Sequence, residues 1–195
     1  GKTRTRGFEL TLETVNVKTR QFQWSTSFNI AFNRNRILGL VDGQNTLQSS
    51  VSWETRFNSQ FPYISQVGKP TGMMYGFIYD GTYKAEDFDD KGTLVSGVPS
   101  FKGNTMQPGD MKYRDMNGDG VIDDYDRTII GCGQPLNTGG FGNNFNWKNF
   151  DLNIFFAWSY GNDVLNANRL VFESGWKSQT NQLASYAHRW APEDP

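Results

Sequence analysis

Hydrophobic and polar residues alternate with a period of two in four stretches of this chain. Between residues 22 and 32 the even positions are Phe22, Trp24, Thr26, Phe28, Ile30 and Phe32, and the odd ones are Gln23, Ser25, Ser27, Asn29 and Ala31. Successive side chains of a strand point to opposite faces, so the pattern predicts a strand with one aromatic face and one polar face. Residues 8–15 repeat the design in shorter form, with Phe8, Leu10 and Leu12 set against Glu9, Thr11 and Glu13. The polar connection Val17-Lys18-Thr19-Arg20 joins the two into a hairpin over 8–32. A second hairpin is predicted over 139–161. There Phe141, Asn143, Phe145 and Trp147 alternate with Gly142, Asn144 and Asn146, and Lys148-Asn149 make the turn. Leu152, Ile154, Phe156, Trp158 and Tyr160 then alternate with Asp151, Asn153, Phe155, Ala157 and Ser159.

Such strands are long for a soluble sheet and match the roughly 9–11 residues a tilted strand needs to cross a bilayer. The expected fold is all-β: an antiparallel meander of long alternating strands forming part of a large transmembrane β-barrel. A soluble sandwich also alternates, but it accounts less well for the length and the aromatic density. On the barrel reading, Phe22, Trp24, Phe28, Ile30 and Phe32 face lipid, as do Leu152, Ile154, Phe156 and Trp158. Gln23, Ser25, Ser27, Asn29, Asn153 and Ser159 then face the interior. The short turns at Lys18 and Lys148 belong on the periplasmic side.

Between the hairpins, residues 33–108 are loop-rich, with short strands expected at 61–67 and 73–79 and an Asp/Gly/Lys/Pro-rich loop over 80–108. After Tyr160, residues 162–195 are expected to be loop, with a short helix near Asn181–Arg189.

Composition sharpens this picture. Hydrophobic residues make up 36% of the 195-residue chain and aromatics 15%, and mean hydropathy is -0.62. The apolar content is thus carried by rings rather than aliphatic chains, which favours strands and suits a barrel wall. A net charge of -1 supplies no field for nucleic acid. Cys132 stands alone, so no intrachain disulfide forms. No run of eighteen apolar residues predicts a membrane-spanning helix. Gly1-Lys2 and Glu193-Asp194-Pro195 read as boundaries within a longer chain.

Residues 109–131 hold the clearest candidate chemistry. Over 115–126 the chain reads Asp-Met-Asn-Gly-Asp-Gly-Val-Ile-Asp-Asp-Tyr-Asp. Oxygen side chains stand at loop positions 1, 3 and 5 (Asp115, Asn117, Asp119), and Gly120 stands at the sharp turn. Val121 offers its carbonyl at position 7, Asp123 stands at position 9, and Asp126 closes the loop at position 12. Ca²⁺ takes six to eight oxygens in flexible geometry, and this spacing supplies them around one point. The closing Asp is closer to dockerin loops than to sensor EF-hands, and Met111-Lys112-Tyr113-Arg114 looks extended rather than helical. The expected role is a structural clamp outside the membrane.

The run from Pro108-Gly109-Asp110 through Asp115-Met116-Asn117-Gly118-Asp119-Gly120 to Asp126-Arg127, followed by Ile129-Ile130-Gly131, resembles a signature of SusC/RagA-type TonB-dependent transporters. Arg6-Gly7-Phe8-Glu9-Leu10, Val67-Gly68-Lys69-Pro70, Tyr75-Gly76 and Tyr186-Ala187-His188-Arg189-Trp190 are similar to that family too, in the same order. Cys132-Gly133 departs from it, where a polar residue is expected. The resemblance implies a C-terminal portion of a plugged barrel in the Gram-negative outer membrane. It further implies import of glycans or peptides, energised through TonB, with a SusD-like surface lipoprotein as partner. The cut strand edges are expected to favour self-association. The competing reading is a soluble calcium-stabilised β domain that binds carbohydrate or a protein.

No enzyme is expected. His188 is the sole histidine. Asp87, Asp89 and Asp90 sit in a Gly-rich loop without the apolar neighbours that raise a pKa. Gly139-Gly140-Phe141-Gly142 lacks the Lys-Ser/Thr of a phosphate loop and reads as relief for close packing. Trp53, Trp176 and Trp190 are candidates for stacking on sugars, or for an aromatic girdle.

Overall fold

A computed structural model describes residues 1–51, 60–175 and 178–191. Trp53 and Trp176 lie outside the described residues. In chain order the strands are β1 (Lys2–Lys18), β2 (Phe22–Gly39), β3 (Thr46–Ser49), β4 (Tyr63–Gln66), β5 (Met73–Gly76) and β6 (Tyr79–Thr82). They continue with β7 (Ser100–Phe101), β8 (Met111–Tyr113), β9 (Val121–Ile122), β10 (Thr128–Cys132), β11 (Asn137–Trp147) and β12 (Phe150–Tyr160). A short helix, α1 (Ala167–Phe172), follows. The chain is all-β apart from this helix and several 3-10 turns, and it divides into two compact units.

The first unit comprises residues 1–74 and 131–164. Its main sheet has the order β1-β2-β11-β12, every neighbour antiparallel. Strands β2 and β11 therefore pair across the long excursion of residues 40–136. The first hairpin reaches from 2 to 39 rather than 8–32, because Thr3 and Thr5 keep the extended alternation going beyond the aromatic run. A register shift between Val15 and Val17 accommodates Asn16 as a bulge, whose amide donates to Thr26 Oγ1 at 2.5 Å. The second hairpin runs from 137 to 160. Its two-residue turn puts Lys148 at φ 53°, and the Lys148 N–H donates to the Gln21 carbonyl at 2.9 Å, so the two short turns share one end of the sheet. Ile37, Ile64, Met73 and Met74 form the small buried core of this unit. The expected strand at 61–67 is the four-residue β4, paired with β3 on one side and β5 on the other.

The second unit comprises residues 75–130 and 165–195. Its core is an aromatic cluster: the Phe77 ring lies 5.5 Å from Phe101 and 5.3 Å from Tyr113, centroid to centroid. Tyr83 and Ile122 are almost wholly buried, and the Tyr83 hydroxyl donates to the Pro99 carbonyl at 2.6 Å. The region expected to be loop over 80–108 therefore includes β6 and β7. The helix expected near Asn181–Arg189 is a 3-10 turn at Ala184–His188, and the α-helix lies earlier, at Ala167–Phe172. Asn166 caps it by accepting from the Arg169 N–H, and Arg169 pairs with Glu173 one turn on.

Candidate functional site

Two places concentrate the chemistry: the faces of the main sheet and the loop at 115–126. Pairing in the sheet aligns residues in rows. One face carries Leu10, Ile30, Gly139 and Trp158 in one row, and Leu12, Phe28, Phe141 and Phe156 in the next. Trp24, Phe145 and Leu152 form another, and Phe22, Trp147 and Phe150 close the face beside the short turns. The opposite face carries Glu13, Ser27, Gly142 and Phe155 in one row, then Ser25, Asn144 and Asn153. One face is therefore mainly apolar across the four strands, interrupted by the row Thr14, Thr26 and Asn143, where Asn143 Oδ1 accepts from the Trp24 indole and the Thr26 hydroxyl, and the other face is mostly polar.

The apolar face is uncovered. Phe8 is 63% exposed, Leu152 56%, Phe156 60% and Phe150 71%. Contacts within the face are ring on ring: Trp24 stacks on Phe145 at 5.8 Å, and Phe28 meets Trp158 at 6.0 Å. The Trp158 indole lies over Gly139, where a Cβ would collide with it, and its N–H donates to Asn137 Oδ1 at 3.0 Å.

Alternation alone misses one feature of the polar face. Phe155 stands among polar neighbours and lies over Gly140, 3.0 Å from the position a Cβ would take, with Gly142 next to it. Glycines at alternate positions leave a channel that the ring fills. The Gly-Gly-Phe-Gly spelling is the signal for it.

In the loop, backbone and side chains lock together. Asp115 accepts from the Gly118 and Gly120 N–H groups at 2.6 and 2.7 Å. Asn117 accepts from the Asp119 N–H at 3.0 Å, and Asp119 from the Val121 N–H at 2.8 Å. Gly118 and Gly120 take φ 77° and 81°, the left-handed region where a side chain strains the backbone. Val121 and Ile122 form β9, parallel to β7, and Ile122 anchors the loop in the aromatic core. Asp126 is fully buried. It accepts from the Met116 and Asp123 N–H groups, both at 2.8 Å, which draws the loop ends together. The backbone hydrogen bond from Asp123, with those from Met116 and Asn117, holds the Asp126 carboxyl below the usual carboxylate range against the opposing effect of burial. Asp123 accepts from the Tyr125 N–H and pairs with Lys102 at 3.3 Å.

Among the described residues, no group of three or more His, Cys, Asp or Glu side chains gathers around one point. The residues nevertheless suit a hard cation in chemistry. Asp115 and Asp126 are neighbouring carboxylates, Asp126 is buried on backbone N–H partners, and each carboxylate oxygen has more than one lone pair. The loop is flanked by strand β8 and a 3-10 turn rather than by paired helices.

Asp87 accepts from the Lys84 N–H and pairs with Lys112 at 3.4 Å, Asp89 caps a turn through the Lys91 and Thr93 N–H groups, and His188 is exposed. Trp190 packs on Gly109. Cys132 is half-buried, with its N–H donating to Asp163 at 2.7 Å.

No protein-family model matches the chain. TonB-dependent receptor P3 of Formosa agariphila is 32% identical over 98% of this chain, and receptor P26 of the same organism is 30% identical over all of it. The sequence relatives of this chain are TonB-dependent receptors. In each of the two, the match spans 18% of the relative's length. The fold is shared with solved structures of the RagAB peptide transporter. One matches 98% of this chain and 19% of its own at TM-score 0.68 and 21% identity. The "closed-closed" state of the importer gives 0.66 and 22%, with the same coverage. Relatives and neighbours are receptors and transporters, and the resemblance to SusC/RagA-type receptors runs the length of the chain. No helix among the described residues is long and apolar enough to cross a membrane, which bears on helices alone.

Proposed function

We propose that this chain forms four wall strands and one long outward excursion of a TonB-dependent importer in the Gram-negative outer membrane. The observation that carries the reading is the mainly apolar face that extends over four strands and is open to its surroundings. An apolar surface of that extent calls for a non-aqueous neighbour. From Phe22 to Phe32 the strand rises about 33 Å, and at the tilt of a membrane barrel this spans about 25 Å of height, the thickness of the apolar band. A soluble β domain would have to bury the same face, which weighs against that alternative.

The short turns at 19–21 and 148–149 then face the periplasm, and residues 40–136, on the opposite end of β2 and β11, lie outside the cell. Substrates are glycans or peptides, as the RagAB likeness suggests for peptides, with a SusD-like lipoprotein and TonB as partners. Cysteine labelling of intact cells tests the topology: a cysteine at residue 117 should react from outside, and one at 148 should be protected. The reverse result would sink the proposal.

The loop at 115–126 is proposed to hold one structural Ca²⁺ through Asp115, Asn117, Asp119, the Val121 carbonyl and Asp126. When bound, the ion would neutralise the carboxylates that Asp115, Asp119 and Asp126 contribute to the loop. Calorimetry should show uptake of one Ca²⁺ and its loss in Asp119→Ala, with Mg²⁺ a poor substitute. Absence of uptake by the unaltered receptor would leave the loop a hydrogen-bonded turn and nothing more.

A further inference from the structure

The apolar face of β1 and β2 ends abruptly. Beyond the Phe8–Phe32 pair, the next two same-face pairs are Arg6 with Arg34 and Arg4 with Arg36. Like charges directly opposite each other on a strand pair repel, so the sheet itself gains nothing from this arrangement. Among the described residues, no ion pair involves any of the four. Arg34 spends one nitrogen on the Asn33 and Leu136 carbonyls, at 3.0 and 2.7 Å. Arg4, Arg6, Arg34 and Arg36 line an open groove of about 300 Å³ with Asn35, Gly68 and Pro70. Gly68 takes φ 87°, the left-handed region that favours glycine, beside the Arg36 guanidinium.

We infer that this arginine quartet is a binding site for the phosphate-bearing headgroup of a membrane lipid. The inference rests on the membrane reading above, which puts the quartet on the lipid-facing side at the outer end of the apolar band. Two observations fix the class of ligand. Planar guanidinium forks match phosphate oxygens bidentately, so several of them together select a multiply charged oxyanion. The groove continues the same face that takes acyl chains, so an anion tethered to such chains meets both surfaces at once. A free phosphate or an acidic protein segment would use only the charged part.

The test uses the receptor that carries this chain, purified in mild detergent and titrated with phosphatidic acid while native mass spectrometry counts bound lipid. Phosphatidylcholine and sn-glycerol 3-phosphate serve as the zwitterionic and the water-soluble probes. Each arginine near a lipid phosphate contributes about fivefold, so Arg4→Ala with Arg36→Ala should weaken phosphatidic acid binding roughly thirtyfold and leave phosphatidylcholine unchanged. Arg4→Lys with Arg36→Lys should fall between. Unchanged phosphatidic acid binding in the double alanine variant overturns the inference. So does equal competition by glycerol phosphate, which would mark a free-anion site. Thermal midpoints report folding of the variants, and Arg6→Gln, expected to lose about fivefold, replaces the double variant should that one not fold. A wild-type receptor that stays soluble without detergent sinks the membrane reading and this inference together. Normal insertion with arginine-independent lipid binding sinks this inference alone.

Discussion

The main sheet and the unit around residues 75–130 use opposite means of support. The sheet is held by long, regular ladders, and its apolar side chains lie on an open face, so its transfer free energy is realised only where a non-aqueous medium covers that face. The other unit has strands of two to four residues, and its regularity comes from side chains: Asp115, Asp119, Asp123 and Asp126 hold backbone N–H groups, and an aromatic cluster with Tyr83 and Ile122 fills the interior. One region draws its stability from its surroundings and the other carries its own. A mutation should therefore respond to the medium in the first and be indifferent to it in the second.

The largest expected effect is in the self-supported unit. Ile122→Ala removes a fully buried side chain and should cost about 2–5 kcal/mol, to the same extent in detergent and in bilayer. Urea titrations in both media would check this, and a strong medium dependence would break the comparison.

Next comes the sheet. Ile30→Arg should cost about 2–4 kcal/mol in a bilayer, and Asn29→Arg, one residue along on the other face, no more than about 1 kcal/mol. Refolding into vesicles measures both, and equal costs would remove the facial assignment.

Asp126→Ala should cost about 2–3 kcal/mol by stranding the Met116 and Asp123 N–H groups. The same residue makes a pH prediction. Its folded pKa is lowered, so its contribution is complete above the ordinary carboxylate range and is lost as pH falls through the lower folded value. Stability of this unit should thus drop in acid, and the Asp126→Asn variant should show a shallower drop in the same titration.

The smallest effect concerns a turn. Lys148 sits at φ 53°, a conformation that strains an L residue, so Lys148→Gly should raise sheet stability by about 0.5 kcal/mol after glycine's entropy is counted. A loss of stability would show that the Lys148 ammonium over the Trp147 ring, 5.5 Å away, outweighs the strain.

Whatever depends on neighbours along the chain was legible in the order of residues. Period-two alternation specified the four long strands and their two faces, because side-chain direction in a strand follows from local geometry alone; of the turns read at 18–20 and 148–149, the first lies one residue later, at 19–21. Asp115, Asn117, Asp119, Gly120 and Asp126 were legible as one loop because their spacing lies within twelve residues. The boundaries at 2 and 39 were not, since the aromatic run ends at Phe8 and Phe32 and the pairing of Arg4 with Arg36 and Arg6 with Arg34 continues the ladder beyond it. Nor could alternation reveal that β2 meets β11 across residues 40–136, that Phe155 fills the space above Gly140, or that four arginines converge, because these are contacts between residues far apart in the chain. Tertiary pairing decided them: register sets which rows align, and a side chain's chemistry depends on the row it joins.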